Sequence, residues 1–258
     1  VEAARPRLPV LVVIGLVGGL LSGAFGVGGG IVMVPLLVLF GGLDQRRASA
    51  TSLLAILPTA ASGSVTYIVN GEVYYVAALL LAVGAIGGSL IGTWLLTRLP
   101  LGVVRWAFVA LLVLIAVRMM LLEPSRADPL ALSPGVAIAY LVIGLVMGTA
   151  SGLFGIGGGA LAVPALVALL GVSDLIAKGT SLLVMIPTAV TGTVANARRG
   201  LVDVRSGLLV GLAAAVAAVP GALVALALPP RVSAVLFAVF LLAVAAQMGW
   251  RAWRVGRR

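Results

Sequence analysis

The stretch from Ser22 to Pro35, Ser-Gly-Ala-Phe-Gly-Val-Gly-Gly-Gly-Ile-Val-Met-Val-Pro, returns from Ser151 to Pro164 as Ser-Gly-Leu-Phe-Gly-Ile-Gly-Gly-Gly-Ala-Leu-Ala-Val-Pro. A shift of 129 residues, which carries Pro35 onto Pro164, aligns the halves without a gap. Thr51-Ser-Leu-Leu falls on Thr180-Ser-Leu-Leu, Pro58-Thr59 on Pro187-Thr188, Gly71 on Gly200 and Pro100 on Pro229. One unit has been duplicated, and a repeat found first decides which architectures remain. Residues 1–122 form repeat 1, the proline-rich stretch 123–135 a linker, and 136–258 repeat 2, packed as one transmembrane domain.

Of 258 residues, 62% are hydrophobic and 9% charged, with a mean hydropathy of +1.26. Too few polar residues exist to cover a water-soluble globule, so the chain is predicted to be an all-α polytopic membrane protein. The apolar runs are helix-length and lack the dyad alternation of barrel strands. Cysteine and histidine are absent, which removes disulfides, thiolate or imidazole metal sites, and the usual neutral-pH proton shuttle. No metal and no cofactor is expected.

Each repeat shows five apolar stretches. In the first they run from Leu8 to Ala24, Ile31 to Phe40, Ala48 to Val69, Val73 to Leu99 and Leu101 to Leu122. In the second they run from Val136 to Leu153, Ala160 to Leu170, Gly179 to Ala197, Val204 to Leu228 and Val232 to Trp250. A helix needs ~20 apolar residues to cross ~30 Å of hydrocarbon, and the second stretch of each repeat falls short. The pattern predicts about three full spans per repeat plus a broken, re-entrant helical hairpin turning at the glycines, with five spans as the alternative. The first 25 residues have signal-peptide features, but their copy in repeat 2 predicts that they stay.

Loop charges orient the repeats. Arg46, Arg47, Arg98 and Arg105 sit in one set of loops of repeat 1, whereas in repeat 2 Arg198, Arg199 and Arg205 occupy the opposite set and the C-terminus adds Arg251, Arg254, Arg257 and Arg258. The positive-inside bias therefore predicts inverted-topology repeats, each crossing an odd number of times, as in many secondary transporters. Lys178, Arg231 and Arg126 lie on the other side, so this is a bias. It also accounts for the net charge of +10 without nucleic acid, since no basic domain exists to bind one. The fourth stretch carries Gly84, Gly88 and Gly92, and the fourth stretch of repeat 2 carries Gly207, Gly211 and Ala215, at four-residue spacing; both stripes read as tight packing inside one protomer, with a homodimer seam as the alternative.

The candidate ligand groups are those that face an anion well. Gly28, Gly29 and Gly30 stand at the N-terminus of a half-helix, where N–H groups lack intrahelical partners and the dipole is positive; Gly157, Gly158 and Gly159 repeat this from the other unit. Ser22 and Ser151 precede the tips. Thr51, Ser52 and Thr59, with their copies Thr180, Ser181 and Thr188, supply hydroxyls beside Pro58 and Pro187, which together with Pro35 and Pro164 are expected to break or hinge their helices. No Asp or Glu is expected deep in an apolar stretch: Asp44, Glu72, Asp174 and Asp203 read as loop residues. A buried carboxylate relay is thus not visible, and coupling to proton or sodium stays open. Lys178, and Arg46 with Arg47, read as vestibule charges or ordinary loop charges.

With both tips, the Thr-Ser-Leu-Leu and Pro-Thr pairs and the inverted duplication in view, the chain resembles the sulfite exporter TauE/SafE family of bacterial membrane proteins along essentially its whole length. The resemblance implies export of small sulfur-containing anions, sulfite or organosulfonates such as sulfoacetate, across the inner membrane by a multi-pass protein without ATP hydrolysis. The residues alone give no sulfur specificity, so another small oxyanion or carboxylate, or an anion channel of the same architecture, remains open. An enzyme is disfavoured. A serine protease of the rhomboid kind lacks its His base, Gly26, Gly28 and Gly30 miss the dinucleotide spacing, and no Lys follows the last glycine as in a P-loop.

Overall fold

The computed structural model describes residues 7–121 and 132–255. Most of the expected linker, 123–135, and the ends of the chain lie outside the described residues. Among those described there are ten helices and no strand: α1 (Leu8–Phe25), α2 (Gly30–Leu39), α3 (Gln45–Val69), α4 (Tyr75–Arg98), α5 (Leu101–Leu121), α6 (Pro134–Phe154), α7 (Gly159–Leu170), α8 (Asp174–Ala197), α9 (Val204–Ala227) and α10 (Pro230–Val255). Six of them, α1, α3, α4, α6, α8 and α9, are long and apolar enough to cross a membrane. Large exposed side chains such as Leu79, Val83, Leu90, Leu212 and Val216 stud their outer faces. In water that surface would aggregate; in lipid it is the solvated face. The chain is a multi-pass membrane protein.

The short α2 shows why a hairpin forms. Its 10 residues span only about 15 Å. It folds back on α1, so that Gly18 meets Met33 near the turn, while Pro9, Val10, Val13 and Ile14 lie beside Leu36 and Phe40. Leu11, Ile14, Met33, Val34 and Leu37 pack as one buried cluster. Both ends of the α1–α2 hairpin therefore lie on one side of the molecule.

Contacts recur in exchanged pairs. α1 packs along α9, and α4 along α6, through glycines that bring backbones into touch. A Cβ on Gly84, Gly88 or Gly92 would fall 2.1 Å from the carbonyls of Leu141, Leu145 and Thr149. On α1, Gly19 and Gly23 approach Ala214 and Ala218 as closely. The Gly84–Gly92 stripe thus packs within the protomer, as backbone proximity in lipid requires. Gly207 and Gly211 turn instead to Leu54 and Pro58 of α3.

α3 and α8 run antiparallel at the centre. Gly63 meets Leu182, Gly192 meets Leu53, and Gly179 meets Tyr67 and Glu72. The start of α3 consequently shares one end of the molecule with the end of α8, where Arg46 donates to the Leu99 carbonyl at 2.7 Å and Arg199 donates to the Thr93 carbonyl. At the opposite end the start of α8 meets the end of α3. Asp44 and Ser173 cap α3 and α8, accepting from Arg46 and Arg47 N–H and from Ile176 N–H, as short oxygen-bearing side chains do at N-termini.

Candidate functional site

Each tip is built by glycines in the left-handed region. Gly26 ends α1 there, its N–H donating to the Ser22 carbonyl at 2.8 Å, and Gly28 and Gly29 follow with φ of 74° and 72°. Gly155, Gly157 and Gly158 do the same between α6 and α7. Three such angles in four residues exclude most side chains. The caps of α2 and α7 are Gly29 and Gly158, which have no side chain to satisfy the first N–H groups.

The tips meet. A Cβ on Gly30 would sit 2.2 Å from the Gly155 carbonyl oxygen, and one on Gly159 would sit 2.4 Å from that of Gly26. Residues 22–35 and 151–160 contain no exposed position. Each tip is then fastened by the other repeat: Ser52 Oγ donates to the Gly155 carbonyl at 2.6 Å, and Ser181 Oγ to the Gly26 carbonyl at 2.6 Å. Thr51 and Thr180 also reach across, accepting from the Asp203 and Tyr74 N–H groups at 3.0 Å. These four hydroxyls staple one repeat to the other.

Different groups are left for a ligand. Among the described residues no carbonyl accepts from the N–H groups of Gly28, Gly29, Gly30 or Ile31, or of Gly157, Gly158, Gly159 or Ala160. Ser22 Oγ and Ser151 Oγ are fully buried without a partner. Buried polar groups in folded proteins are nearly always paired, and here ten donors without a partner gather around two helix N-termini, the kind of surroundings that favour negative charge. Ile56 of α3 and its repeat counterpart Met185 of α8 lie over them. A Cβ on Gly28 would touch Met185 Sδ at 2.4 Å, and one on Gly157 would lie 3.1 Å from it and 3.2 Å from Ile56 Cδ1. Two apolar side chains thus close the tips.

Thr59 and Thr188 are buried, and their hydroxyls donate to the Ala55 and Val184 carbonyls of their own helices at 2.8 Å. The prolines do not interrupt their helices: α2, α3, α7 and α8 continue through Pro35, Pro58, Pro164 and Pro187. In α3 Pro58 lies against Gly211 of α9, where a Cβ would meet its ring at 2.8 Å.

Asp174 departs from its expected loop position. It is the first residue of α8 and only 7% exposed, and its Oδ2 accepts from Lys178 Nζ at 3.0 Å. The Lys178 backbone and stem press on Gly26. In repeat 1 the same two positions are Gln45 and Ser49, both buried, whose side-chain polar atoms have no partner; Asn196, the counterpart of Tyr67, has none either. These residues were missed because apolar-run boundaries placed Asp174 outside a span. Aligning the repeats position by position would have flagged them as places where the copies disagree in charge.

The Sulfite exporter TauE/SafE family model matches residues 1–119 and 140–258. The chain is 32% identical over 222 residues to the probable membrane transporter protein YunE of Bacillus subtilis (strain 168), covering 75% of this chain and 80% of that one. It is 30% identical over 250 residues to a probable membrane transporter protein of Xylella fastidiosa (strain 9a5c), covering 93% of both. A helical membrane protein with glycine tips at both repeats, matched along both halves by one family, is a bacterial multi-pass transporter that belongs to the sulfite exporter TauE/SafE family.

Proposed function

We propose that this protein is a secondary transporter, an exporter of small sulfur-containing anions such as sulfite or the organosulfonate sulfoacetate, that holds its substrate between the two glycine tips and moves it by alternating access. It carries out no covalent chemistry and needs no cofactor. The observation that carries this reading is the meeting of two half-helix N-termini with unpartnered N–H groups and the orphan hydroxyls of Ser22 and Ser151. Donors fixed in a low-dielectric interior stabilise negative charge far better than they would in water.

The antiparallel α3 and α8 and the exchanged staples support two inverted units rocking against each other. Their arginine-bearing end, with Arg46, Arg47, Arg198 and Arg199, faces the cytoplasm by the positive-inside bias. Ile56 and Met185 then act as the barrier between the tips and the two vestibules. In this arrangement Ser52, Ser181, Thr51 and Thr180 hold the frame, whereas the glycine N–H groups, Ser22 and Ser151 touch the anion.

Thermal-shift measurements of the purified protein against sulfite, sulfoacetate, thiosulfate and small carboxylates test the site, followed by flux into proteoliposomes. Stabilisation by the sulfur anions with saturable uptake is expected. Stabilisation by carboxylates alone reassigns the substrate, and flux that does not saturate makes the protein a channel.

A further inference from the structure

A groove of 470 Å³ runs down the outer face of the α1–α2 hairpin, with α1 from Pro9 to Val17 as one wall and Leu36 and Phe40 of α2 as the other. Every lining side chain is apolar, and Val13, Val17 and Phe40 are exposed. Ile14, at its base, belongs to the buried cluster of Leu11, Met33, Val34 and Leu37. From Pro9 to Val17 α1 rises about 12 Å, against the ~15 Å of hydrocarbon in one leaflet. α2 stops at Leu39 and α3 starts at Gln45, so the mouth of the groove lies at the arginine-bearing end.

Cations gather around that mouth. Arg7 caps α1 two residues before Pro9, and exposed Arg47 adjoins Ala48, which packs in one cluster with Val10 and Leu36. α9 runs parallel to α1, since Gly15, Gly19 and Gly23 meet Val210, Ala214 and Ala218 in turn. This register sets exposed Arg205 beside the first turn of α1. The acids nearby, Asp44 and Asp203, cap α3 and α9, and with Arg46 the arginines outnumber them.

Repeat 2 builds the same hairpin without these charges. The copies of Arg7, Arg46 and Arg47 are Val136, Leu175 and Ile176, and the repeat 1 counterpart of Arg205 is Val76. The hairpin therefore does not need cations at its open end to fold. The positive-inside bias asks for cations on this side of the membrane, but not for their place around an apolar groove.

We propose that this groove seats one anionic phospholipid of the leaflet on the arginine-bearing side, with an acyl chain between α1 and α2 and its phosphate against Arg7, Arg47 and Arg205. An acyl chain leaving bulk lipid for apolar walls gains packing but no hydrophobic driving force, so the headgroup decides which lipid stays. Clustered arginines at the membrane surface attract a negative headgroup, and guanidinium groups match the geometry of phosphate oxygens. A zwitterionic headgroup brings its own cation to the same corner and loses part of that gain.

The test is native mass spectrometry of the full-length protein in a neutral detergent, titrated with dioleoyl phosphatidylglycerol or dioleoyl phosphatidylcholine. One phosphatidylglycerol per chain is expected, held on the order of tenfold more tightly than phosphatidylcholine, with a rise in melting temperature that only phosphatidylglycerol produces. V13W fills the groove from an exposed position and should remove the tightly held lipid; V17W, at the inner end, is the second such variant. R7Q/R47Q/R205Q keeps the groove and should bring the two lipids to equal affinity. Equal affinity for both lipids in the native protein overturns the proposal, as does phosphatidylglycerol held as tightly by V13W and V17W as by the native protein. So does a native dimer that V13W splits, which would put a second copy on this face. Each of these results leaves the transport reading intact, because the groove lies outside the tips.

Discussion

At the arginine-bearing end, the first turns of α3 carry Gln45 and Ser49 and the last turn of α8 carries Asn196, all buried and without partners for their side-chain polar atoms. At the opposite end the same positions are the Asp174–Lys178 ion pair and Tyr67, whose hydroxyl donates to the Gly23 carbonyl at 2.8 Å. Between these ends nearly everything is shared: the left-handed glycines, the exchanged Ser52 and Ser181 bonds, and the Thr51 and Thr180 staples. Residues that hold the frame are the same in both copies, and the buried polar residues at the two ends differ. A carrier needs both properties. Its two states must be close in energy, which symmetry favours, yet its two mouths must load and release under different conditions.

The largest expected effect breaks what is shared. G30A and G159A each add a methyl where the nearest carbonyl of the other tip lies 2.2 Å and 2.4 Å away, so the tips must part. Overpacking of this kind costs about 1–3 kcal/mol, and transport should fall below detection while the protein still inserts. G102A, with nothing within 4 Å, should transport as the native protein does. If G30A and G159A retain native uptake in proteoliposomes, the meeting of the tips is not required.

The next effect concerns the exchanged bonds. S52A leaves the Gly155 carbonyl unpaired in the core and S181A does the same to that of Gly26; each should lower stability by about 1–3 kcal/mol, read as a drop in melting temperature. If the frame is shared in energy as well as in geometry, the two losses match. A loss confined to one variant would show that one tip is held by other contacts.

Most of this frame was legible in the sequence because duplication prints the same turn chemistry twice. Three glycines before a short apolar run predict a hairpin tip, and α2 and α7 start at Gly30 and Gly159 as that chemistry demands. The roles of the hydroxyls were not legible. Ser52 and Thr59 are both hydroxyl-bearing residues of one helix, yet one bonds the other repeat and the other bonds its own helix, because facing direction depends on helix rotation against a partner distant in the chain. Asp174 was hidden for a related reason: a residue at a helix start reads as a loop residue until packing buries it.

A smaller effect tests the apolar barrier, where the copies differ in shape alone. M185I gives α8 the residue that α3 carries at position 56. A swap of similar volume costs less than about 1.5 kcal/mol, so the melting temperature should move little. The branched side chain is stiffer than the unbranched thioether, and anion exchange should slow on the side of α8. Equal rates in M185I and the native protein would remove Met185 from the barrier.

The smallest effect is expected from T59V and T188V. Both hydroxyls donate to the carbonyl four residues back, at 2.8 Å, a bond inside the helix that contributes little to its stability. Valine keeps the shape and removes only that bond, so affinity for sulfite or sulfoacetate should change by less than about twofold, with stability lowered by no more than about 1 kcal/mol. A much weaker affinity in both variants would mean that the hydroxyls leave Ala55 and Val184 and turn to the anion when it binds. A loss in one variant alone would carry the inequality of the two vestibules down to the level of the prolines, where the copies are otherwise alike.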